Sequence, residues 1–594
     1  MNSFSQNLFT LLLFLYSSYA HKCIHDEYLR SHNTTTTVSP QSYLDHPFEL
    51  TQEDRATARR QLKKKRKHAE SKETKWEPMR IHLDSSDLAK HTYGSDGKAT
   101  LDKILSSIFP ATKQILSKYL SVVRVNGNLK VTRPCRYTFS GGPDAGKKCC
   151  GLMSQCTWDA NACDGIAVPD SHATSGIANT DFVVYLTANE DFHGDTMAHG
   201  ITCRTDQYDR PTAGGVTINL DAWKSSFSKN YMISVLTHEI SHALGWSANS
   251  FSKFRDEHGN LRSNVITSKN ALDKTISILN TPFVTSQVRS HFGCNSLTGM
   301  EIEDQGGSGT AGSHPEKRIF PESYMAGISG ASSQHIIDRI ALSIFQDSGW
   351  YKVTNLNEAG RLSFGRGMGC RVPTHKCNDW GQEANARGLF CKDRMGKYCT
   401  GNQLQQTGNC DLAHYTSDLP PQFRYFSSAT TGASTQIADF CPSVKPYSNG
   451  DCTDTKNNNS PSLVQAQGVY HGSDARCFRA SLCKLRWNCQ KSSGWDAMCY
   501  RRTCTANHLQ IHVGDEVVNC PVSEVSSSRT LTGYTGSIVC PPYSGLSDVR
   551  CKATCSPDDP ECLGTKGEAA DLKGTYALPS DNAPVVVSGR NLRH

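Results

Sequence analysis

Nowhere does this 594-residue chain carry an apolar run long enough to cross a bilayer, which takes about 20 residues. The C-terminus is equally bare of a hydrophobic tail: Ala583-Pro584-Val585-Val586-Val587 runs straight into Arg590 and Arg593, so neither a transmembrane segment nor a lipid-anchor signal is expected. Charge of one sign is also scarce. The balance is only +7, and basic residues are dispersed apart from one run, which excludes a nucleic-acid-binding stripe. The cysteines lack a repeated Cys-x-x-Cys pair in the C-terminal half, which argues against structural zinc ribbons. Gly141-Gly142-Pro143-Asp144-Ala145-Gly146-Lys147-Lys148 lacks the Ser or Thr that a phosphate-binding loop needs after its lysine.

Cysteine itself is abundant. A reducing cytosol would leave 25 thiols free, so the count points to an oxidising compartment. The apolar block Leu8 to Tyr16, closing on Ser18-Tyr19-Ala20, reads as a signal peptide over residues 1–20, although no Lys or Arg precedes it. Secretion to the extracellular space follows as an expectation. Cys23 stands apart from the other cysteines, and setting it aside leaves 24, enough for twelve disulfides. Residues 21–75 read as a propeptide. They contain a glycosylation sequon at Asn33-Thr34-Thr35 and the basic run Arg59 to Lys67, an exposed cleavage linker in a secreted chain.

The chemistry is concentrated in His238-Glu239-Ile240-Ser241-His242. Met232, Val235, Leu236, Ile240, Ala243 and Leu244 keep helical spacing around it, and Gly245 is a helix stop. Four residues apart on a helix, two imidazoles share a face and can grip one zinc ion, with Glu239 beside it to take a proton from water. Such a site needs a third ligand. The compact metzincin spacing would place it at position 248, which is Ala248. His258, His291, His314 and His335 are the downstream candidates, and a glycine-rich loop before His314 with Met325 beyond it favours His314.

Strands are expected at Asp181 to Leu186 and Gly215 to Leu220, and helices over Leu101 to Val123 and Ile336 to Phe345. Between Cys370 and Cys562 the cysteines crowd among Gly, Asn and Ser, predicting a disulfide-stapled, loop-rich module with a second sequon at Asn458-Asn459-Ser460.

Taken together, His238 to Trp246, Glu301-Ile302-Glu303-Asp304-Gln305-Gly306-Gly307 and Ala311-Gly312-Ser313-His314 resemble the leishmanolysin family of zinc metalloproteases. The resemblance spans about Cys23 to Cys562. It implies an α+β fold: a zincin or metzincin-like catalytic core with an inserted subdomain, then a disulfide-rich, loop-rich C-terminal domain. Read along its length, the sequence divides into 76–246 for the N-terminal catalytic subdomain, 247–350 for the central one, 351–565 for the cysteine-rich domain and 566–594 for a flexible tail. The resemblance further implies one catalytic zinc ion held by His238, His242 and His314, Glu239 as the catalytic carboxylate, Met325 in a Met-turn, and Cys23 as a zymogen switch. The expected activity is endoproteolysis of protein or peptide substrates. The alternative is a cell-adhesion or binding protein that acts on cell-surface or matrix proteins through its cysteine-rich domain.

Overall fold

The computed structural model describes residues 75–131, 163–189, 196–330 and 337–541, apart from short stretches inside these ranges, together with Ala20–Lys22 and Pro40–Gln41. Asn33, Arg59 to Lys67, Gly141 to Lys148, Asn458 to Ser460 and the tail lie outside the described residues. It is a mixed α+β structure, and none of its described helices is long and apolar enough to cross a membrane.

The central element is a five-stranded sheet built from β1 (Ile81–Asp84), β3 (Phe182–Asn189), β4 (Ala198–Asp206) and β5 (Pro211–Asn219), with Pro40–Gln41 on the outer edge of β4. Strands β1, β3 and β5 run parallel, whereas β4 is antiparallel to β5. Both faces are buried along most of β3, so its first five residues are apolar or aromatic: Phe182, Val184 and Leu186 join the main core, and Val183 and Tyr185 a smaller one on the opposite face. Over the first face lie α1 (Ser95–Lys103), α2 (Phe109–Tyr119) and α3 (Lys229–Ala243), the last packed on β4 and β5. The approach is close because the strands offer glycine there. A Cβ at Gly200 would run into the Glu239 carbonyl, and one at Gly214 would sit 2.6 Å from Ala243 Cβ.

The expected helix over Leu101 to Val123 stops early. Leu120–Val123 forms β2, paired with Trp76–Pro78 on one side and Lys352–Val353 on the other. Two β-branched valines end the segment, and partners on both sides override its helical spacing.

After α3, β6 (Ile266–Ala271), β7 (Lys274–Leu279) and β8 (Met300–Ile302) form an antiparallel sheet, flanked by α4 (Pro282–Phe292). Helix α5 (Arg339–Asp347) starts where Asp338 accepts the Ala341 N–H at 2.8 Å. Side chains as far along as Phe440 and Cys441 pack into the same core as α3.

Beyond them the chain corrects an expectation. The region read as loop-rich holds a six-stranded antiparallel sheet. In chain order its parts are α6 (Pro461–Gln467), β9 (Ala475–Ala480), β10 (Cys483–Lys484), β11 (Asp496–Cys504), β12 (His508–Val513), β13 (Glu516–Pro521), β14 (Ser527–Arg529), β15 (Tyr534–Thr535) and β16 (Ile538–Cys540). The sheet order is β13-β12-β11-β9-β16-β14, and β10 pairs separately with β15. Its cysteines are core residues as well as staples: Cys477, Cys499, Cys520 and Cys540 are fully buried. Among the described residues eight disulfides form, including Cys163–Cys203 beneath the central sheet and Cys399–Cys477, Cys452–Cys499 and Cys520–Cys540 around the C-terminal one.

Candidate metal centre

Helix α3 carries the site because its inward face is apolar and its hydroxyls turn back on the helix. Thr237 donates to the Ile233 carbonyl at 2.7 Å and Ser241 to the Thr237 carbonyl at 2.8 Å, so neither leaves a buried polar group unmet. The helix ends as the sequence indicates. Gly245 takes φ +106°, letting the Trp246 N–H reach the Ser241 carbonyl at 3.0 Å and the Gly245 N–H the His242 carbonyl, also at 3.0 Å.

The third imidazole comes from a loop closed by backbone bonds. The Gly312 N–H donates to the Glu303 carbonyl and the Glu303 N–H to the His314 carbonyl, each at 2.9 Å, while Glu316 N–H reaches the Glu301 carbonyl at 3.0 Å. Gly306, Gly307 and Gly312 all have positive φ, which such a tight return requires. Ala248, the position where a compact spacing would want histidine, instead donates its N–H to Ser313 Oγ at 2.9 Å. The chain leaving α3 is thereby tied to the loop that presents His314.

His238, His242 and His314 converge, all buried. His242 Nε2 lies 3.0 Å from His238 Nε2 and 3.2 Å from His314 Nε2. Each ring is oriented from behind by a carbonyl: Nδ1 of His238 meets Tyr324 O at 2.6 Å, Nδ1 of His242 meets Trp246 O at 2.6 Å, and Nδ1 of His314 meets Thr310 O at 2.8 Å. With each Nδ1 carrying the proton it gives to its carbonyl, the Nε2 atoms present lone pairs to one another. Three lone pairs at that spacing repel unless a cation lies among them, and three neutral imidazoles held this way are a donor set that fits zinc. Glu239, one residue along the helix from His238, is fully buried beside the triad.

Met325 is buried in a turn directly after Tyr324, whose carbonyl orients His238. Ser323 pins the turn by accepting the Met325 N–H at 3.3 Å and donating to Asp338 at 2.7 Å. Burial holds the Asp338 carboxyl up at about 6. The Tyr324 hydroxyl points at Ser241, and burial raises its pKa above the usual phenol value. Three residues past Met325, Ile328–Gly330 pairs antiparallel with Ala20–Lys22. Cys23 itself lies outside the described residues.

The other candidate histidines go elsewhere or lie outside the described residues. His258 is exposed, and His335 lies outside the described residues. His291, on α4, is buried against Phe292 with Nε2 2.9 Å from the Phe364 carbonyl. Desolvation holds this imidazole down at about 4, against the opposing hydrogen bond to Phe364. Its folded value lies below the unfolded one of about 6.5, so the stabilisation is complete above that pH and is lost as pH falls toward about 4. In His291→Gln, the stability lost between about pH 7 and 4.5 is expected to shrink by roughly 2–3 kcal/mol, read from urea unfolding midpoints. An unchanged pH profile would remove His291 as an acid-sensitive element.

Behind the His314 loop lie five carboxylates, among them two groups close enough to hold an ion: Glu301 with Glu316 and Asp439, and Glu303 with Asp304 and Glu316. Basic side chains already occupy this cluster. Arg318 pairs with Glu301 at 2.8 Å and with Asp439 at 3.2 Å, and Lys274 with Asp439 at 2.6 Å and Asp304 at 2.8 Å. Burial pushes Glu303 and Glu316 well above the usual carboxylate range. The network ties the β6-β7 hairpin, the loop and Asp439 together.

The leishmanolysin peptidase family profile matches residues 149–554, more than half of the chain. The chain belongs to the leishmanolysin family. Leishmanolysin-like peptidase of Drosophila melanogaster is 28% identical over 81% of this chain and 81% of its own length. Leishmanolysin homolog of Crithidia fasciculata is 28% identical, covering 75% of this chain and 63% of that protein. Leishmanolysin of Leishmania donovani is 29% identical, covering 74% and 69%. Membership makes this chain a metzincin zinc metalloendopeptidase, and the buried histidine triad is consistent with the zinc site of such an enzyme.

The groups that sequence reasoning missed are the orienting carbonyls of Tyr324, Trp246 and Thr310. Backbone acceptors leave no mark in residue identity. Ser323 and Asp338 could have been suspected as a turn residue and a helix cap, but only in isolation.

Proposed function

We propose that the chain is a secreted zinc endopeptidase, made as a latent zymogen and acting on proteins or peptides. The observation that carries the reading is the convergence of three Nε2 atoms, those of His238 and His314 lying 3.0 and 3.2 Å from that of His242, each ring backed by a carbonyl. In this reading His238, His242 and His314 hold the metal. Zinc, when bound, supplies the Lewis acidity that makes water nucleophilic near neutrality. Glu239 takes the proton from the attacking water and returns it to the departing amine, so one carboxylate serves as base and then acid. Met325 supports the histidines from below. The antiparallel strand β4 borders α3 and holds the substrate in extended form by main-chain hydrogen bonds.

Latency assigns Cys23 to the metal in the unprocessed chain, its thiolate taking the position that water needs. The pairing of Ala20–Lys22, immediately before Cys23, with the strand just past Met325 supports this role. So does the position of Pro40–Gln41 on the outer edge of β4, where it competes with a substrate strand. Residues 21–75 then act as propeptide, 76–246 and 247–350 as the two parts of the catalytic unit, the second carrying the third ligand and the Met-turn, and 351–565 as the cysteine-rich domain. The disulfides support export.

The test is casein hydrolysis by processed and unprocessed protein, with and without a zinc chelator. Processed protein is expected to cleave, chelator to stop it, and unprocessed protein to be slower by roughly a hundredfold or more. Equal activity of the two forms would remove latency, and chelator-resistant cleavage would remove zinc.

A further inference from the structure

Eight large apolar side chains stand exposed among the described residues, and four of them, Val464, Leu485, Trp487 and Val517, belong to elements that meet at one end of the C-terminal sheet. Helix α6, which carries Val464, packs against β10. A Cβ at Gly468, just past α6, would lie 2.6 Å from the backbone nitrogen of Gly514 in the β12-β13 turn, three residues before Val517. A Cβ at Gly514 would in turn lie 3.1 Å from the hydroxyl of Tyr534, on the strand that pairs with β10. Single exposed apolar residues are ordinary, but a gathering on contiguous elements marks a contact surface.

Beside α6 lies a short turn closed by Cys483–Cys489, six residues apart. Inside it Leu485 is 54% and Trp487 45% exposed. Its described residues are tied by backbone bonds: Leu485 N–H donates to the Gly533 carbonyl at 2.8 Å, Trp487 N–H to the Lys484 carbonyl at 3.1 Å, and Arg486 takes φ +78°. A non-glycine residue in that region is held against local preference. The charged side chains of this turn, Lys484 and Arg486, are both basic and both exposed, alternating with Leu485 and Trp487. Asp515, in the β12-β13 turn, and Glu516, at the start of β13, are the acidic neighbours near Tyr534, while the charged side chains within the disulfide-closed turn are Lys484 and Arg486.

We propose that this disulfide-closed turn is a docking site for an anionic lipid bilayer, with Trp487 and Leu485 entering the interface and Lys484 and Arg486 contacting acidic headgroups. Tryptophan favours the headgroup level, where its ring is apolar and its N–H finds partners. A basic side chain near an anionic surface adds about fivefold in affinity. An exposed turn with cations beside the apolar residues suits a charged lipid surface, where both kinds of side chain find partners at once. Preordering by the disulfide spares the entropy of fixing the turn on contact. The inference is independent of the catalytic reading, since none of these residues touches the histidine triad.

The full chain is sedimented with phosphatidylcholine vesicles, with and without about a third phosphatidylserine, at low and high salt. Wild type is expected to sediment with the acidic vesicles and to be released by salt. Leu485→Ser/Trp487→Ser is expected to lower partitioning by roughly tenfold or more, and Lys484→Ser/Arg486→Ser by about twentyfold on acidic vesicles only. Trp487→Tyr, which keeps an aromatic with a polar edge, is expected to retain most binding. Thermal midpoints matched to wild type show that the variants are folded, and single Trp487→Ser carries the test should the double variant unfold. Failure of wild type to sediment would overturn the proposal, as would sedimentation indifferent to Leu485 and Trp487. Binding indifferent to phosphatidylserine would overturn the anionic assignment. Self-association of wild type, lost in Leu485→Ser/Trp487→Ser and without lipid binding, would reassign the surface to a second copy.

Discussion

Replacing Glu239 by alanine is expected to leave zinc bound at one ion per chain while kcat/KM on a peptide substrate falls roughly a thousandfold or more. The carboxylate is not part of the converging nitrogen set, so its removal takes away no ligand. On the proposed mechanism, what is lost is the group that relays a proton from water to the leaving amine. Glu239→Gln tests the same point with smaller change of volume, which matters because the side chain is fully buried against a close strand. Metal content by elemental analysis and turnover on the same preparation decide it. Retained turnover with zinc bound would refute the role; loss of zinc would make the carboxylate structural.

The second large effect is expected at His314. Removing one of three imidazoles leaves two ligands four residues apart on a single helix, and zinc affinity is expected to fall more than a hundredfold, beyond the effect of losing an orienting partner alone. His291→Gln serves as the control, because that histidine is buried against Phe364 and Phe292 and belongs to no ligand group. His314→Ala protein should therefore be zinc-poor after dialysis and inactive, and His291→Gln zinc-replete and active. A full complement of zinc in His314→Ala would move the third ligand elsewhere.

These two residues differ in how plainly the sequence marks them. Glu239 and its flanking histidines could be read directly, because helical periodicity and the histidine spacing report the same face of one element. His314 could not be read from spacing alone. Its position depends on loop closure 72 residues from His242, enforced by bonds such as Gly312 N–H to Glu303 O and by three glycines in positive φ. Glycine content hinted at the return, but direction and length are set by backbone pairing, which residue identity does not encode. The family resemblance supplied what periodicity lacked.

The fold shows the same divide. β3 is legible as a buried apolar run and β5 as a second strand, and the Gly245 stop is legible because few residues tolerate its conformation. Leu120–Val123 was misread since its apolar spacing continues that of α2, while its true partners, Trp76–Pro78 and Lys352–Val353, lie far away in sequence. The C-terminal sheet was hidden for another reason. Cysteines such as Cys477 and Cys499, directly opposite one another on β9 and β11, occupy positions where a reader looks for valine or isoleucine. They form disulfides with Cys399 and Cys452 rather than with each other, so they bind the sheet to the preceding chain.

The central claim is that three imidazoles share one zinc ion. Anomalous scattering at the zinc edge, measured on crystals of the processed protein, tests it most directly. The expected result is a single strong peak at about 2.0–2.1 Å from Nε2 of His238, His242 and His314. A peak beside the carboxylates of Glu301, Glu316 and Asp439 with none at the histidines, or no peak in an active preparation, would contradict the account.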